Sequence, residues 1–182
     1  GLAAVLAGGK LRGVAAFRVR GALAVALEAR GEAGAAARLR AENGTVAAWT
    51  LAGPWGAYHA LEIDRAFPPE LGALTARFEG PPGVGTLEAR TLPASAGVAS
   101  LDGEPPNADI WYLAADVRLA RGGDYLVAVG TSATARLALD GEPLAERRAY
   151  SSFAPAVVVV PRSLEAGVHR LLVKVGRGAG RA

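Results

Sequence analysis

Three ring-bearing side chains lie within five residues of one another. Trp55, Tyr58 and His59 follow Gly53-Pro54, a pair that interrupts a strand-like pattern and predicts a loop. Aromatic faces with polar groups at their rim are surfaces on which sugars stack. We therefore predict that these three residues contact a carbohydrate. The alternative is structural: Trp55 closes the open end of a core, and Tyr58 packs back on the helical segment.

A second, weaker group of ligand candidates lies in the loop predicted over 142–155. Tyr150 and Phe153 supply rings, and Arg147-Arg148 supplies planar cationic donors. These arginines either meet a ligand or keep the loop soluble. We count Tyr150 and Arg148 among the predicted ligand contacts.

Patterns for catalysis are weak. The chain has no cysteine, which excludes thiol catalysis, disulfides and thiolate zinc sites. Ser95 lies in Pro-Ala-Ser-Ala-Gly, which lacks the first glycine of the Gly-x-Ser-x-Gly elbow. His169 shares its alternation with Leu171 and Val173, which is typical of a partly buried strand histidine bonded to backbone. We therefore predict no catalytic residue, no metal site and no cofactor, and expect a protein that is not an enzyme.

Two groups of carboxylates bear on that expectation. Glycoside cleavage needs two carboxylates facing each other at ~5–10 Å. Glu62, Asp64 and Glu70 lie close together in sequence, but solvated loop charges are the favoured interpretation. Four further residues carry the oxygen ligands that calcium takes, and a loop-stapling ion remains an alternative there: Asp102, Glu104, Asp109 and Asp116.

Charge and hydropathy exclude two classes of partner. The net charge is +3 over 182 residues, and the basic excess falls in residues 1–46, where Phe17 is the single aromatic residue. Nucleic-acid binding needs a basic stripe with stacking rings, so we predict no nucleic-acid partner. The apolar run Ala156–Val160 is far shorter than the ~20 residues of a membrane span. Because the chain has no methionine, we expect it to be part of a longer protein.

The first part of the chain has a helical period. Apolar residues recur at three- and four-residue steps between Leu11 and Ala26. Gly31 ends this helix, and a second one is predicted from Glu32 to Glu42, with Asn43-Gly44 as its stop. Such a hairpin is similar to one unit of a helical repeat array, which cannot bury its apolar faces alone.

After Thr45 the period changes to two. Diproline pairs, of which Pro68-Pro69 is the first, predict loops between short strands around 85–91 and 97–101. In 110–119 the odd positions are all apolar, which predicts one buried face and one mostly wet face. Asp140-Gly141 predicts a tight hairpin.

Two more strands complete the expected sheet. Val157–Val160 is apolar throughout, which predicts an inner strand. In the last strand, Val168–Val175, we expect Leu171 and Val173 to be buried, with Arg170 and Lys174 pointing outward.

The order of motifs in 45–176 resembles the galactose-binding-like jelly-roll modules of bacterial proteins, in particular those attached to tetratricopeptide-repeat chains. The resemblance rests on Trp49–Trp55, Gly123-Asp124-Tyr125, Leu139-Asp140-Gly141 and Leu164–Val175. In this sequence Asp140 and His169 stand where such modules commonly have asparagine. The resemblance implies a sandwich of eight or nine strands and a non-catalytic, carbohydrate-binding-module-like role.

We therefore predict a mainly β protein, an antiparallel β-sandwich of jelly-roll type with an N-terminal α-helical hairpin. The expected boundaries are a helical hairpin over 1–44, a sandwich over 45–176 and a disordered tail over 177–182. The expected function is non-catalytic binding of carbohydrate or a cell-surface polymer within a larger bacterial protein. The alternative is a structural or protein-interaction module that caps a helical array, with the rest of the parent chain as its partner.

Overall fold

A computed structural model describes residues 12–56, 59–104, 110–149, 151–154 and 156–176, with the backbone alone at 59 and 60. The chain divides into two compact units. The first comprises Gly1–Ala47 and Ala94–Val98, and the second comprises Ala48–Pro93 and Ala99–Ala182. The predicted disordered tail, 177–182, lies outside the described residues.

The first unit contains the predicted pair of helices, α1 (Gly13–Ala29) and α2 (Ala33–Glu42). Gly31 adopts a positive φ of +79° between them, a conformation that glycine takes at little cost. The buried side chains of the two helices are small, namely those of Ala16, Ala24 and Ala36. Neither helix is long and apolar enough to cross a lipid bilayer, and the same holds for the other described helices.

The described strands of the second unit are β1 (Ala48–Trp55), β2 (Arg77–Glu79), β3 (Thr86–Glu88), β4 (Arg90–Pro93), β5 (Ile110–Leu119), β6 (Gly123–Val129), β7 (Thr134–Leu139), β8 (Glu142–Arg147), β9 (Val158–Leu164) and β10 (Gly167–Gly176). Six of them form an antiparallel sheet in the order β4-β1-β5-β10-β7-β8. Two-stranded antiparallel sheets, β2–β3 and β6–β9, accompany it.

The first face of the large sheet forms an apolar core with the β6–β9 sheet. Because side chains alternate along a strand, the odd residues of β5 and β10 share this face. Trp111, Leu113 and Val173 are buried there with residues from β1 and β7. Val127 of β6 and Val160 of β9 pack against them. The prediction of an antiparallel β-sandwich with N-terminal helices is confirmed.

The second face is also covered, which corrects the expectation of a mostly wet surface. Ile110 and Tyr112, at even positions of β5, are completely buried. Their cover is distant in sequence: the 3₁₀ helix His59–Asp64, the short helix α3 (Pro68–Leu71) and the β2–β3 hairpin. Alternation places the even residues on one face, but it does not say whether another segment covers that face.

Four local predictions need correction. The loop predicted over 142–155 begins with strand β8, because the chain after the Asp140-Gly141 turn pairs back on β7 as far as Arg147. Pro68-Pro69 opens α3 instead of a loop, because proline is tolerated in the first turn of a helix, where its missing N–H has no partner to lose. Among the described strands, β9 pairs with β6 alone, so Val157–Val160 is not an inner strand. Residues 97–101 form no described strand, although Leu101 is buried in the first core.

The Asp140-Gly141 turn is confirmed. Both residues have positive φ, +53° and +85°, and they connect β7 to β8. The Asp140 carboxylate accepts a hydrogen bond from the backbone N–H of Arg170 at 2.8 Å. His169 lies beside it, with Nδ1 2.7 Å from Asp140 Oδ2 and Nε2 2.9 Å from the carbonyl oxygen of Glu165. His169 is thus bonded to backbone, as expected, and also to a carboxylate.

Candidate functional site

Trp55, the central residue of the predicted aromatic contact, is a core residue. Its exposed fraction is 2%, and its ring packs edge-on against Phe78 and Tyr112 with centroid distances of 5.6 and 5.5 Å. Its indole N–H donates to the carbonyl oxygen of Glu79 at 3.4 Å. This placement corrects the prediction that Trp55 is a surface contact for a sugar, because no ring face is free to stack.

The physical reason is that β1 does not end at Gly53-Pro54. The strand continues to Trp55, which pairs with Ile110. A register shift between Ala52 and Trp55 accommodates Gly53-Pro54. Gly53 is required there, since a Cβ would lie 2.9 Å from the Trp111 ring and its φ is +135°. Pro54 loses no ladder bond to β4, because β4 pairs only as far as Leu51.

The other predicted contacts are placed only in part. Tyr58 and Tyr150 lie outside the described residues. His59 begins the 3₁₀ helix, and its side chain is not among those described. Arg148 is described, and its side chain is about half exposed.

Arg148 belongs to a closed set of four charged side chains, which we call the charge ring: Asp64, Arg136, Glu146 and Arg148. Asp64 ends the 3₁₀ helix, Arg136 lies on β7, and Arg148 directly follows β8. Arg136 and Glu146 are cross-strand partners in the β7–β8 hairpin. The ring therefore joins the segment after β1 to the segment after β8.

Each member of the charge ring contacts two members of opposite sign. Arg148 meets Asp64 through two nitrogens, with Nη1–Oδ2 at 3.0 Å and Nη2–Oδ1 at 2.5 Å. Arg136 Nη2 lies 3.2 Å from Asp64 Oδ1, and its Nε lies 3.2 Å from Glu146 Oε2. Arg148 Nε donates to Glu146 and closes the ring. The bidentate Arg148 contact fixes orientation as well as distance.

The arginines shift the protonation of the two acids. The hydrogen bond from Arg148 lowers the pKa of the Asp64 carboxyl below its ordinary value, and the charges of Arg148 and Arg136 add to this effect. Arg148 likewise lowers the pKa of Glu146. Both acids are therefore ionised at neutral pH, and the charge ring is neutral as a whole.

The charge ring presents planar hydrogen-bonding groups to solvent. All four side chains are a third to a half exposed. Guanidinium groups donate and carboxylates accept, so neighbouring hydroxyls of one ligand can bond to both kinds of group. Such a surface suits hydroxyl-rich molecules. Its two acids are held ionised by arginines, which does not suit a proton donor.

A buried polar cluster lies next to the charge ring on the same face. Lys174, predicted to point outward, is 2% exposed. Its Nζ lies 2.8 Å from Glu70 Oε1 and donates to the carbonyl oxygen of Arg65 at 2.5 Å. The Tyr112 hydroxyl also donates to Glu70. Glu70, predicted to be a solvated loop charge, is thus the acceptor for two buried donors.

Burial dominates the electrostatics of this cluster. Desolvation lowers the pKa of Lys174, and the contact with Glu70 opposes that shift. Burial also raises the pKa of Tyr112, with the hydrogen bond to Glu70 acting in the same direction. Lys174 Nζ further lies 5.2 Å from the centroid of the Phe67 ring and 5.6 Å from that of Tyr112, within cation–π range.

Sequence reasoning missed Arg136 and Glu146 as site residues and set Asp64 aside. A signal was available for the first two. Once Asp140-Gly141 is taken as a two-residue turn, residues about equally far before and after it become cross-strand neighbours. Asp64 carried no such signal, because its partners Arg136 and Arg148 lie more than 70 residues away.

The acidic residues considered as calcium ligands are engaged elsewhere in the part of the chain that the structure describes. Asp116 meets Arg170 through both oxygens, at 2.7 and 2.8 Å. Asp102 bonds Ser100, and Glu104 pairs with Arg90. Asp109 lies outside the described residues. Across the described ranges no group of three or more His, Asp or Glu side chains is placed to hold a metal ion.

Comparisons with known proteins assign no family and no ligand to this chain. No protein-family model matches the chain, and no curated protein matches it. Among solved structures, a β-glucuronidase from Faecalibacterium prausnitzii is similar over 71% of this chain, with 15% identity and a TM-score of 0.43. The similar region spans 20% of that protein. A likeness this distant says nothing about what the present chain binds.

Proposed function

We propose that the β-sandwich is a non-catalytic module that binds a hydroxyl-rich ligand, namely a carbohydrate or a cell-surface polymer, at the charge ring. The ring displays planar donors and acceptors side by side, the combination that hydrogen-bonds vicinal hydroxyls. Arg148 is the member of the ring that the sequence predicts as a ligand contact. Trp55 is not part of this proposal.

The single observation that carries the proposal is the pairing of Arg148 with Asp64. This contact links the segment that follows β1 to the segment that follows β8. The first of these segments carries Tyr58 and His59 in sequence, and the second carries Tyr150. We propose that these three residues supply the rings against which a sugar stacks, with the charge ring as the polar rim.

Glycan-array binding followed by titration calorimetry tests the proposal. Arg148→Ala should weaken binding of any captured glycan about tenfold or more, because a hydrogen bond to a charged group is worth ~1.5–3 kcal/mol. Tyr150→Ala and Tyr58→Ala should weaken it by a similar factor through lost stacking. Arg162→Ala is the matched control, since Arg162 is a partly exposed arginine on β9 that bonds only a neighbouring carbonyl among the described contacts.

Three outcomes contradict the proposal in whole or in part. If the folded wild-type chain captures no glycan, the sugar-binding role falls. If a glycan is bound but is cleaved during long incubation, seen as new reducing ends, the module is an enzyme and the non-catalytic role falls. Equal loss of affinity in Arg148→Ala and Arg162→Ala would remove the charge ring from the site.

The second candidate function is a structural module that caps a helical repeat array. It is favoured by the helical hairpin, in which the described buried side chains are all alanines while Val25 is 60% exposed. Such a hairpin gains stability by stacking on a neighbouring unit. Amide hydrogen exchange over 13–42 should be fast in this chain and should slow when a longer stretch of the parent protein is present. Exchange that is already slow in this chain would contradict the capping role.

A further inference from the structure

The second face of the large sheet carries one continuous polar row across four strands. Tyr112 of β5 is the register partner of Lys174 on β10, and Lys174 is the partner of Arg136 on β7. Arg136 is in turn the partner of Glu146 on β8. The row begins in the core at Tyr112 and ends at the surface in the charge ring, so the buried cluster and the charge ring are neighbours by register.

Two cations of this row hold the backbone on either side of Asp64. Lys174 Nζ donates to the carbonyl oxygen of Arg65 at 2.5 Å. Arg136 Nη1 donates to the carbonyl oxygen of Ile63 at 3.3 Å. Asp64 lies between these two carbonyls, at the end of the 3₁₀ helix. The sheet therefore holds the backbone of Asp64 through charged donors, and not through packing alone.

Of these two cations, Lys174 constrains the segment more strongly, because its buried ammonium group has few other hydrogen-bond acceptors to choose from. It is buried and lies against the rings of Phe67 and Tyr112. Its acceptors, Glu70 Oε1 and the Arg65 carbonyl, both belong to the segment 65–70. A buried ammonium without acceptors is strongly disfavoured, so the segment must stay where the acceptors reach it.

We propose that Lys174 is a positioning residue for the charge ring: by holding the Arg65 carbonyl and Glu70, it sets where the Asp64 carboxylate lies and so allows the bidentate contact with Arg148. A buried ion pair is often no more stabilising than an apolar pair of the same size. What the pair contributes here is the location of one acidic side chain. The consequence for ligand affinity rests on the proposed function, whereas the positioning itself does not.

The main test compares two variants of the same strand. In Lys174→Met/Glu70→Gln both charges of the pair are removed together, and the amide carbonyl introduced at position 70 can still accept from Tyr112. Arg170→Met is the matched control: it also removes a cation from β10, but its partner is Asp116, outside the charge ring. The readouts are the carboxyl titration of Asp64 by ¹³C NMR and amide exchange over 62–71.

In the double variant the Asp64 carboxyl should titrate closer to the pKa of a free aspartate, chiefly because the Arg148 hydrogen bond loosens. Loss of the Lys174 charge raises this pKa slightly by itself, so amide exchange over 62–71 is the deciding readout. Amides over 62–71 should exchange at least about tenfold faster. Arg170→Met should change neither. A folded double variant in which the Asp64 titration and these amides match the wild type would overturn the proposal.

A measurement on the wild type keeps the proposal testable if the double variant does not fold. Ammonium protons that are buried and bonded exchange slowly with water, so the Lys174 NH₃⁺ group should give a ¹H–¹⁵N signal at neutral pH and room temperature. A Lys174 ammonium that exchanges as fast as a solvent-exposed lysine would contradict its hold on the Arg65 carbonyl.

Glycan titrations separate this inference from the proposed function. If the wild type binds a glycan, the double variant should bind it about tenfold more weakly and Arg170→Met should bind it equally. Equal binding by the double variant would overturn the positioning role. If the wild type binds no glycan while the amides over 62–71 still exchange faster in the double variant, the positioning stands and the sugar-binding proposal falls.

Discussion

The two faces of the six-stranded sheet are covered in different ways. The first face is closed by another sheet, β6–β9, and its buried side chains are apolar. The second face is closed by a 3₁₀ helix, a short helix and a small hairpin, and it buries a lysine as well as apolar side chains. Short irregular covers leave backbone carbonyls without ladder partners, and cations from the sheet bond two of them. The charge ring lies on the second face because cations of the sheet bond these carbonyls there.

The largest expected effect comes from the aromatic centre of the second face. Trp55→Ala should lower the free energy of unfolding by about 3–5 kcal/mol, the usual cost of truncating a buried large aromatic side chain. Trp49→Ala, at a half-buried position on β1, should cost clearly less. Urea denaturation followed by circular dichroism measures both. A loss for Trp55→Ala below about 1 kcal/mol would mean that the second face is not a core in its own right.

The buried lysine distinguishes the second face from the first. Lys174→Met alone should cost about 1.5–3 kcal/mol, because the ammonium's bonds to Glu70 and to the Arg65 carbonyl are lost and Glu70 keeps no cation. Adding Glu70→Gln should return a good part of that loss, since no unpaired charge then remains. The comparison is made by the same urea denaturation. A double variant that is as unstable as the sum of the two single variants would show that the two charges are not coupled.

The β7–β8 turn connects two strands that contribute Leu139 and Leu144 to the first core, and a smaller effect on stability is expected there. Gly141→Ala should cost about 1–2 kcal/mol, because φ is +85° there and an L-residue is strained in that region. Gly21→Ala, inside α1 with open space around it, should instead stabilise by roughly 0.5–1 kcal/mol. Thermal unfolding should therefore shift in opposite directions. A shift of the same sign would remove the turn-strain argument.

The smallest expected effect is the pH dependence of stability that arises from His169, beside the same turn. Both ring nitrogens of His169 face acceptors, the Asp140 carboxylate and the Glu165 carbonyl oxygen, so the doubly protonated ring fits best. Asp140 raises the pKa of His169, chiefly through this hydrogen bond. A raised folded-state pKa means that the stabilisation is complete below the unfolded pKa of ~6.5 and is lost as pH rises through the folded value.

Thermal unfolding should accordingly show a midpoint that falls more between pH 6 and 8 in the wild type than in His169→Gln. An NMR titration gives the His169 pKa directly, with His59 as a second histidine in the same spectrum. A His169 pKa at or below its ordinary value would contradict the geometry of two facing acceptors.

Local sequence signals predicted much of the fold correctly. The three- and four-residue steps before Gly31 predicted α1, and Asp140-Gly141 predicted the β7–β8 hairpin, because both depend on contacts close in the chain. The same reasoning misplaced Trp55. Gly53-Pro54 favours a loop locally, but pairing with Ile110 on β5 extends the strand past it.

The candidate site was predictable only in part, for the same reason. Arg148 was selected because it stands beside aromatic residues in a predicted loop. Asp64 gained its role from Arg136 and Arg148, and no local pattern connects residues so far apart in the chain. Lys174 was expected outward because strand alternation opposes it to Val173, yet the cover over its face comes from residues 59–71.

By itself the sequence determined the change from helical to strand period near residue 45, the antiparallel sandwich and the set of side chains that share each face of a strand. These follow from local backbone geometry, in which alternation is a property of the strand alone. Only the tertiary structure decided that both faces are covered, that Trp55 and Lys174 are buried, and that four charged residues close into a ring. Burial and ion pairing depend on which distant segments meet, and that is settled by the packing of the whole unit.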